Sequence, residues 1–213
     1  MPKSFSCFLT LLPALLFVTA SSTPAQDPAA EPKFVFETGV PPWKGERLEL
    51  PPGFAPDLGW IGVEHIRFAP GMFDADAPDF FSYVLAFLLS ADTDVSKENL
   101  EKELLTYYRG LSKAVMKGKG QSVNAEKFTI SLEKAETPGS VPASAEQVMT
   151  YTGVLEWTEP FVTQEAQTLN LEISVWNHGD RPVVLSSVSP VAFDQEMPWK
   201  KLREICSRFR LEP

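Results

Sequence analysis

Cysteine is nearly missing from this chain, with only Cys7 and Cys206 among 213 residues. Cys7 falls in an apolar N-terminal stretch that reads as a removable leader, which makes Cys206 the sole cysteine of the mature chain. An intramolecular disulfide is thereby excluded, and the fold must stand on packing. Histidine is as scarce. His65 and His178 share no short-spaced motif with each other or with Cys206, so a zinc site is not expected. Positive charge is in deficit, with 19 Lys and Arg against 28 Asp and Glu for a net charge of −9. That balance makes nucleic acid and anionic lipid poor partners. A Gly-rich phosphate loop and a Gly-x-Ser-x-Gly elbow are both missing. Beyond the N-terminus, no apolar run approaches the ~20 residues that a spanning helix needs. No cofactor is expected.

What the N-terminus does contain is Lys3, an apolar core from about Cys7 to Ala20, and small residues up to Ala25. This is the anatomy of a secretory signal peptide over residues 1–25. Pro13 interrupts the core, which is too short for a comfortable membrane anchor; an uncleaved anchor is the second reading. Residues 26–32, rich in Pro and Ala, read as a disordered tether. Residues 33–213 are then one domain, long enough to bury a core of its own. The expected location is secreted or periplasmic, without membrane insertion once the leader is cleaved.

Hydrophobic periodicity orders the elements. "KFVFETG" (33–39) reads as a short edge strand, and "ERLELPPGFAP" (46–56) holds another. "GWIGVEHIRF" (59–68) is apolar in both phases and so should be covered on both faces. "FFSYVLAFLL" (80–89) is a near-continuous apolar run bounded by turn residues, as in a central strand. In "SKENLEKELLTYYRGLSKAVMKGKG", Leu100, Leu104, Tyr107 or Tyr108, Leu111 and Val115 recur at helical spacing. Ser96 or Asp94 can cap this helix, and Gly118 and Gly120 stop it. Four strands follow: "KFTISLEKA", "QVMTYTGVLEW", "TLNLEISVW" and "RPVVLSSVSP". A Pro- and Ser-containing loop at 137–144 separates the first two, and "NHGD" turns the last pair. Their strict alternation predicts one buried face and one wet or partly capped face. Trp199, Leu202, Ile205, Cys206 and Phe209 make the apolar stripe of a closing helix, with Pro198 in its first turn.

The fold class expected is α+β: a single antiparallel sheet of about six to seven strands, covered by one long central helix and a C-terminal helix. A strand pair, a central strand, a helix opening "SKENLEKELL", a meander and a final helix opening at Trp199 resemble the Mog1/PsbP-like sandwich over residues 46–211. The stretches "ELPPGFAP", "IRFAPGMF" and "ELLTYYRGL" resemble small secreted proteins of environmental bacteria that carry no assigned function. Neither resemblance implies catalytic residues.

Candidate chemistry is thin. Asp74, Asp76 and Asp79 crowd one loop, but an EF-hand counted from Asp74 would have Asp79 where Gly belongs and Leu85 where Glu belongs. A non-motif calcium site on these three aspartates is one reading; solvated turn residues bonding nearby N–H groups is the other. Cys206 has Arg203 and Arg210 near it in sequence, yet its place on the apolar stripe favours a buried structural thiol. His65 and Glu64, adjacent on a strand, point to opposite faces and cannot pair. Glu156 and Glu159 are three apart at a strand end, where solvated carboxylates are the rule. Trp157 and Trp176 end their strands, and Trp176 takes the phase opposite Leu169 to Val175. With His178 they would form a ligand platform if exposed; otherwise they cover the sheet margins.

These features describe an exported binding or accessory module of the cell envelope, without a catalytic constellation. Its partner would be an envelope protein, a peptide or a carbohydrate. A hydrolase-type enzyme whose residues converge only in three dimensions is the alternative, and a calcium-dependent adhesion module is another.

Overall fold

The frame of the domain is set by Tyr83–Leu89, a strand with seven consecutive buried side chains. Tyr83, Leu85, Phe87 and Leu89 face one side, and Val84, Ala86 and Leu88 face the other. A strand apolar in both phases can only sit inside a sheet covered on both sides. The computed structural model describes residues 31–135 and 141–213. The expected leader (1–25), most of the tether (26–32) and part of the 137–144 loop lie outside the described residues.

In chain order the strands are β1 (Lys33–Val35), β2 (Lys44–Leu50), β3 (Gly62–Phe68), β4 (Tyr83–Leu89), β5 (Thr129–Lys134), β6 (Met149–Thr158), β7 (Ala166–His178), β8 (Arg181–Ser189) and β9 (Arg210–Glu212). The helices are α1 (Lys97–Gly118) and α2 (Trp199–Ser207). Seven strands form one antiparallel sheet in the order β2-β3-β4-β8-β7-β6-β5. Two meanders, β2 to β4 and β5 to β8, therefore meet along β4 and β8, with α1 joining them. The α+β class, the single large sheet and its two covering helices match the sequence expectation. A second, two-stranded sheet pairs β1 with β9. The "KFVFETG" segment is thus not an edge of the main sheet but the partner of the chain's last strand.

One face of the sheet packs against α1 and the other against α2. α1 begins where Ser96 accepts the Asn99 N–H, while Asp94 accepts the Ser96 N–H at 2.8 Å. Lys119 closes the other end through N–H bonds to the last carbonyls, and Gly120 turns away with a φ of +72°. The buried residues of α1 are Leu100, Glu103, Leu104, Tyr107, Tyr108, Ser112 and Met116, with Glu103 accepting the Gly59 N–H. Their stripe drifts from the expected Leu111 and Val115 because a straight helix does not keep a 3.5-residue repeat over 22 residues. α2 stops at Ser207, so Phe209 belongs to the turn into β9, yet it still closes the same apolar layer.

The second face of the late strands, expected to be wet or partly capped, is covered along β8 and over the last part of β7. Ser174, Ser187 and Ser189, on the phase turned to α2, are all buried. Small hydroxylated residues let α2 come close, and they satisfy one another: Ser189 Oγ meets Ser82 Oγ at 2.9 Å and Ser187 Oγ lies 3.1 Å from Cys206 Sγ. Serine in a strand is polar by composition and small by volume. Here its volume decides.

Candidate functional site

The α1 face is not filled evenly. Between β2, β3 and the middle of α1 it leaves a cavity of about 280 Å³. Glu64, Ile66 and Phe68 of β3 form its floor, because alternate residues of a strand share a face. Leu48, the cross-strand partner of Glu64, lies beside it, and Glu46 stands exposed on the same edge strand. Tyr107 and Leu111 hang over it from α1.

The remaining wall comes from the loop 69–82. Its backbone is a series of tight turns, with Met72 N–H on Ala69 O, Ala77 N–H on Asp74 O and Phe81 N–H on Met72 O. The loop thereby delivers Met72, Phe73 and Phe81 to the cavity. Phe81 holds a φ of +48° while 1 % exposed, a left-handed backbone that costs a bulky side chain on the order of 1 kcal/mol or more. Packing of its ring against Trp157, at 5.3 Å between centroids, over-determines that conformation.

One polar group sits deep inside. Glu64 is 1 % exposed; its Oε1 accepts the Tyr107 hydroxyl at 2.9 Å, and its Oε2 has no hydrogen-bond partner. Burial pushes this carboxyl up to about 7, against the opposing pull of the Tyr107 hydrogen bond and with a further push from Glu46. Beside it Tyr83 and Tyr108 share a hydroxyl contact of 2.6 Å, and burial raises all three phenols. Among the described residues the lining holds no serine, cysteine, histidine, lysine or arginine. What the arrangement offers is an apolar, aromatic chamber with a single unused acceptor. Such a site binds.

The residues singled out in the sequence lie elsewhere or in other roles. Trp157 is buried on the α1 face, ringed by Phe81, Tyr108 and Phe128, with its indole N–H on Gln167. Trp176 is buried on the α2 face against Phe209. The sheet separates the two tryptophans, and His178 is exposed in the β7–β8 turn, so the three form no common platform. Asp74 accepts the Asp76 N–H at 3.1 Å and Asp79 the Gly71 N–H at 3.3 Å, the bonds of an Asx-rich turn. Among the described residues no group of three or more His, Cys, Asp or Glu side chains is placed to hold a metal ion.

His65 stacks on Phe34 on the face opposite Glu64, as the strand phase predicts. Arg203 is engaged by Glu172 at 2.6 Å and Arg210 by Glu37 and Glu212, so neither is spent on Cys206. Glu159 departs from the solvated role expected of it. It is fully buried and its carboxylate accepts the N–H groups of Phe161, Val162 and Thr163, which pins the β6–β7 turn. Phe161 on that turn reaches the cavity. A wider, more open depression of about 510 Å³ flanks α1 at Arg109, Lys113 and Lys117. There Arg109 donates to the carbonyls of Glu126 and Phe128, and Lys113 pairs with Glu126.

The residue that sequence reasoning missed is Glu64. A signal was there: it shares the apolar phase of Trp60, Ile66 and Phe68, where a carboxyl is out of place.

No protein-family model matches the chain, and no curated protein matches it. Among solved structures, the crystal structure of LpqN, involved in cell envelope biogenesis of Mycobacterium tuberculosis, is similar at 13% identity. The likeness covers 88% of each chain with a TM-score of 0.33. A score that low carries no argument about fold or function.

Proposed function

We propose that this chain is an exported binding module of the cell envelope that takes a small, largely apolar ligand between α1 and the β2–β3 edge of its sheet. The observation that carries the reading is the cavity itself: about 280 Å³, lined by aromatic and aliphatic side chains, with the buried carboxyl-bearing Glu64 in its wall. An empty cavity of ~150 Å³ already holds benzene, so this one has room for two fused rings or a short alkyl chain. Export is supported by the leader-like residues 1–25, and no described helix is long and apolar enough to cross a membrane. The order of strands and helices supports a Mog1/PsbP-like sandwich as the parent architecture. Binding rather than turnover is favoured by the lining, which offers no nucleophile beside Glu64.

The test is a thermal-shift titration of the mature domain with 1-naphthylmethanol, a neutral probe of the right size. A saturable rise in Tm is expected for the natural chain. In Leu48→Trp, whose indole would occupy the space beside Glu64, the rise should disappear while the unliganded Tm stays within a few degrees. Absence of a shift in the natural chain would refute the reading.

A further inference from the structure

Nothing in the cavity lining balances negative charge. Glu64 lies within it and Glu46 at its edge, while Lys44 borders the neighbouring groove and Lys119 is held by the carbonyl of Phe161. The groups facing Glu64 from the packed elements are Glu46 on β2, Tyr83 on β4, and Tyr107 and Tyr108 on α1. Around them stand the rings of Phe54, Phe68, Phe81 and Phe161. Aromatic faces carry negative quadrupole density and attract cations, most strongly when water is excluded. An anionic head would meet two carboxyls and, as donors, only the Tyr107 and Tyr83 hydroxyls, which are engaged by Glu64 and Tyr108.

Resting on the cavity reading above, we infer that the ligand is an amphiphile ending in a primary amine, its ammonium group drawn to the Glu64 carboxyl in the cavity wall and its apolar body among the aromatic rings. Ammonium donates three hydrogen bonds and accepts none, which matches a site with an unused acceptor. Glu64 must be ionised in the complex. Since its carboxyl titrates near 7 when the cavity is empty, the ammonium drives its proton out to solvent as it binds. Uptake of such a ligand below pH 7 is therefore coupled to proton release.

The experiment uses three probes of one shape on the mature domain: 1-naphthylmethylamine, 1-naphthylmethanol and 1-naphthoate. Isothermal titration calorimetry at pH 6 is run in two buffers of different ionisation enthalpy. The expected affinity order is amine, then alcohol, then carboxylate, with close to one proton released per amine and none per alcohol. Glu64→Gln should weaken the amine by roughly ten- to hundredfold, the worth of a charge-assisted hydrogen bond, and leave the alcohol within about threefold. Equal affinities, a preference for the carboxylate, or amine binding without proton release would overturn the inference while leaving the cavity reading standing. Failure of all three probes would overturn both. Should Glu64→Gln not fold, the proton count in the natural chain decides alone.

Discussion

The two faces of the sheet share the same central strands and are finished in opposite ways. On the α2 side, Val84, Ala86, Leu88, Val183 and Leu185 meet Trp199, Leu202 and Ile205, and buried serines let the helix settle close. Every polar bond named there closes the layer: Arg203 on Glu172, the Trp199 indole on Val191 O, Ser187 on Cys206. On the α1 side Tyr107, Tyr108, Trp157 and Phe81 also meet edge to face or tilted, but there the β2–β3 edge, the 69–82 loop and α1 leave a chamber between them. One face spends its packing on stability, and the other keeps a chamber and an incompletely bonded acid.

The contrast can be broken most severely from the closed side. Trp199→Ala removes a side chain with no exposure and should cost about 3–5 kcal/mol in urea unfolding at neutral pH. A loss under 1 kcal/mol would mean that α2 is dispensable to the core. The open side responds to pH instead. The folded-state value of Glu64, about 7, lies above its reference of 4.5, so the native state holds the extra proton between those values. Stability should therefore fall as pH rises from 4.5 to about 7, by about 3 kcal/mol at ~1.4 kcal/mol per unit, and then level off. Glu64→Gln should lose that slope, and paired urea midpoints from pH 4.5 to 8 read the difference. Equal slopes in the two proteins would place Glu64 in contact with water.

Smaller effects sharpen the picture. Tyr108→Phe strands the Tyr83 hydroxyl, buried and deprived of its 2.6 Å partner, at a cost of about 1–2 kcal/mol. The smallest belongs to the acidic loop. Asp76→Asn touches an exposed residue that offers only its backbone N–H to Asp74, and should change stability by less than about 0.5 kcal/mol. Calcium titrated into the natural chain should give neither heat nor a shift in Tm. A calcium-dependent rise would give the three aspartates a role beyond the turn.

Periodicity made the frame legible. β4 announced itself by apolarity in both phases, α1 by its stripe and its Ser96 cap, and the phase of Trp176 against Leu169 to Val175 was readable from alternation alone. What alternation conceals is what lies over a face. Ser174, Ser187 and Ser189 look solvated until α2 is placed on them. Glu159 looks solvated until the turn folds its N–H groups around it. The cavity was the least legible feature, because its walls come from β2, β3, the 69–82 loop, α1 and the β6–β7 turn, more than a hundred residues apart in the chain. Asp74, Asp76 and Asp79 are the conspicuous residues of their loop in the sequence, but in the fold the loop matters for the phenylalanines it carries.

The seam between the meanders has a consequence for how the chain is made. β4 pairs with β8 in a register that joins Tyr83 to Val188 and Leu88 to Val183, so the most apolar strand finds its second neighbour about a hundred residues later. Contacts of that sequence separation close slowly, since the intervening loop must be ordered first. Until β8 is in place, the β4 edge of the β2–β4 meander would be left unpaired. A rim of that kind recruits other nascent copies. For this chain the hazardous interval is set by the wait for β8, and any chaperone that attends it has Val84 to Leu89 as the stretch to shield.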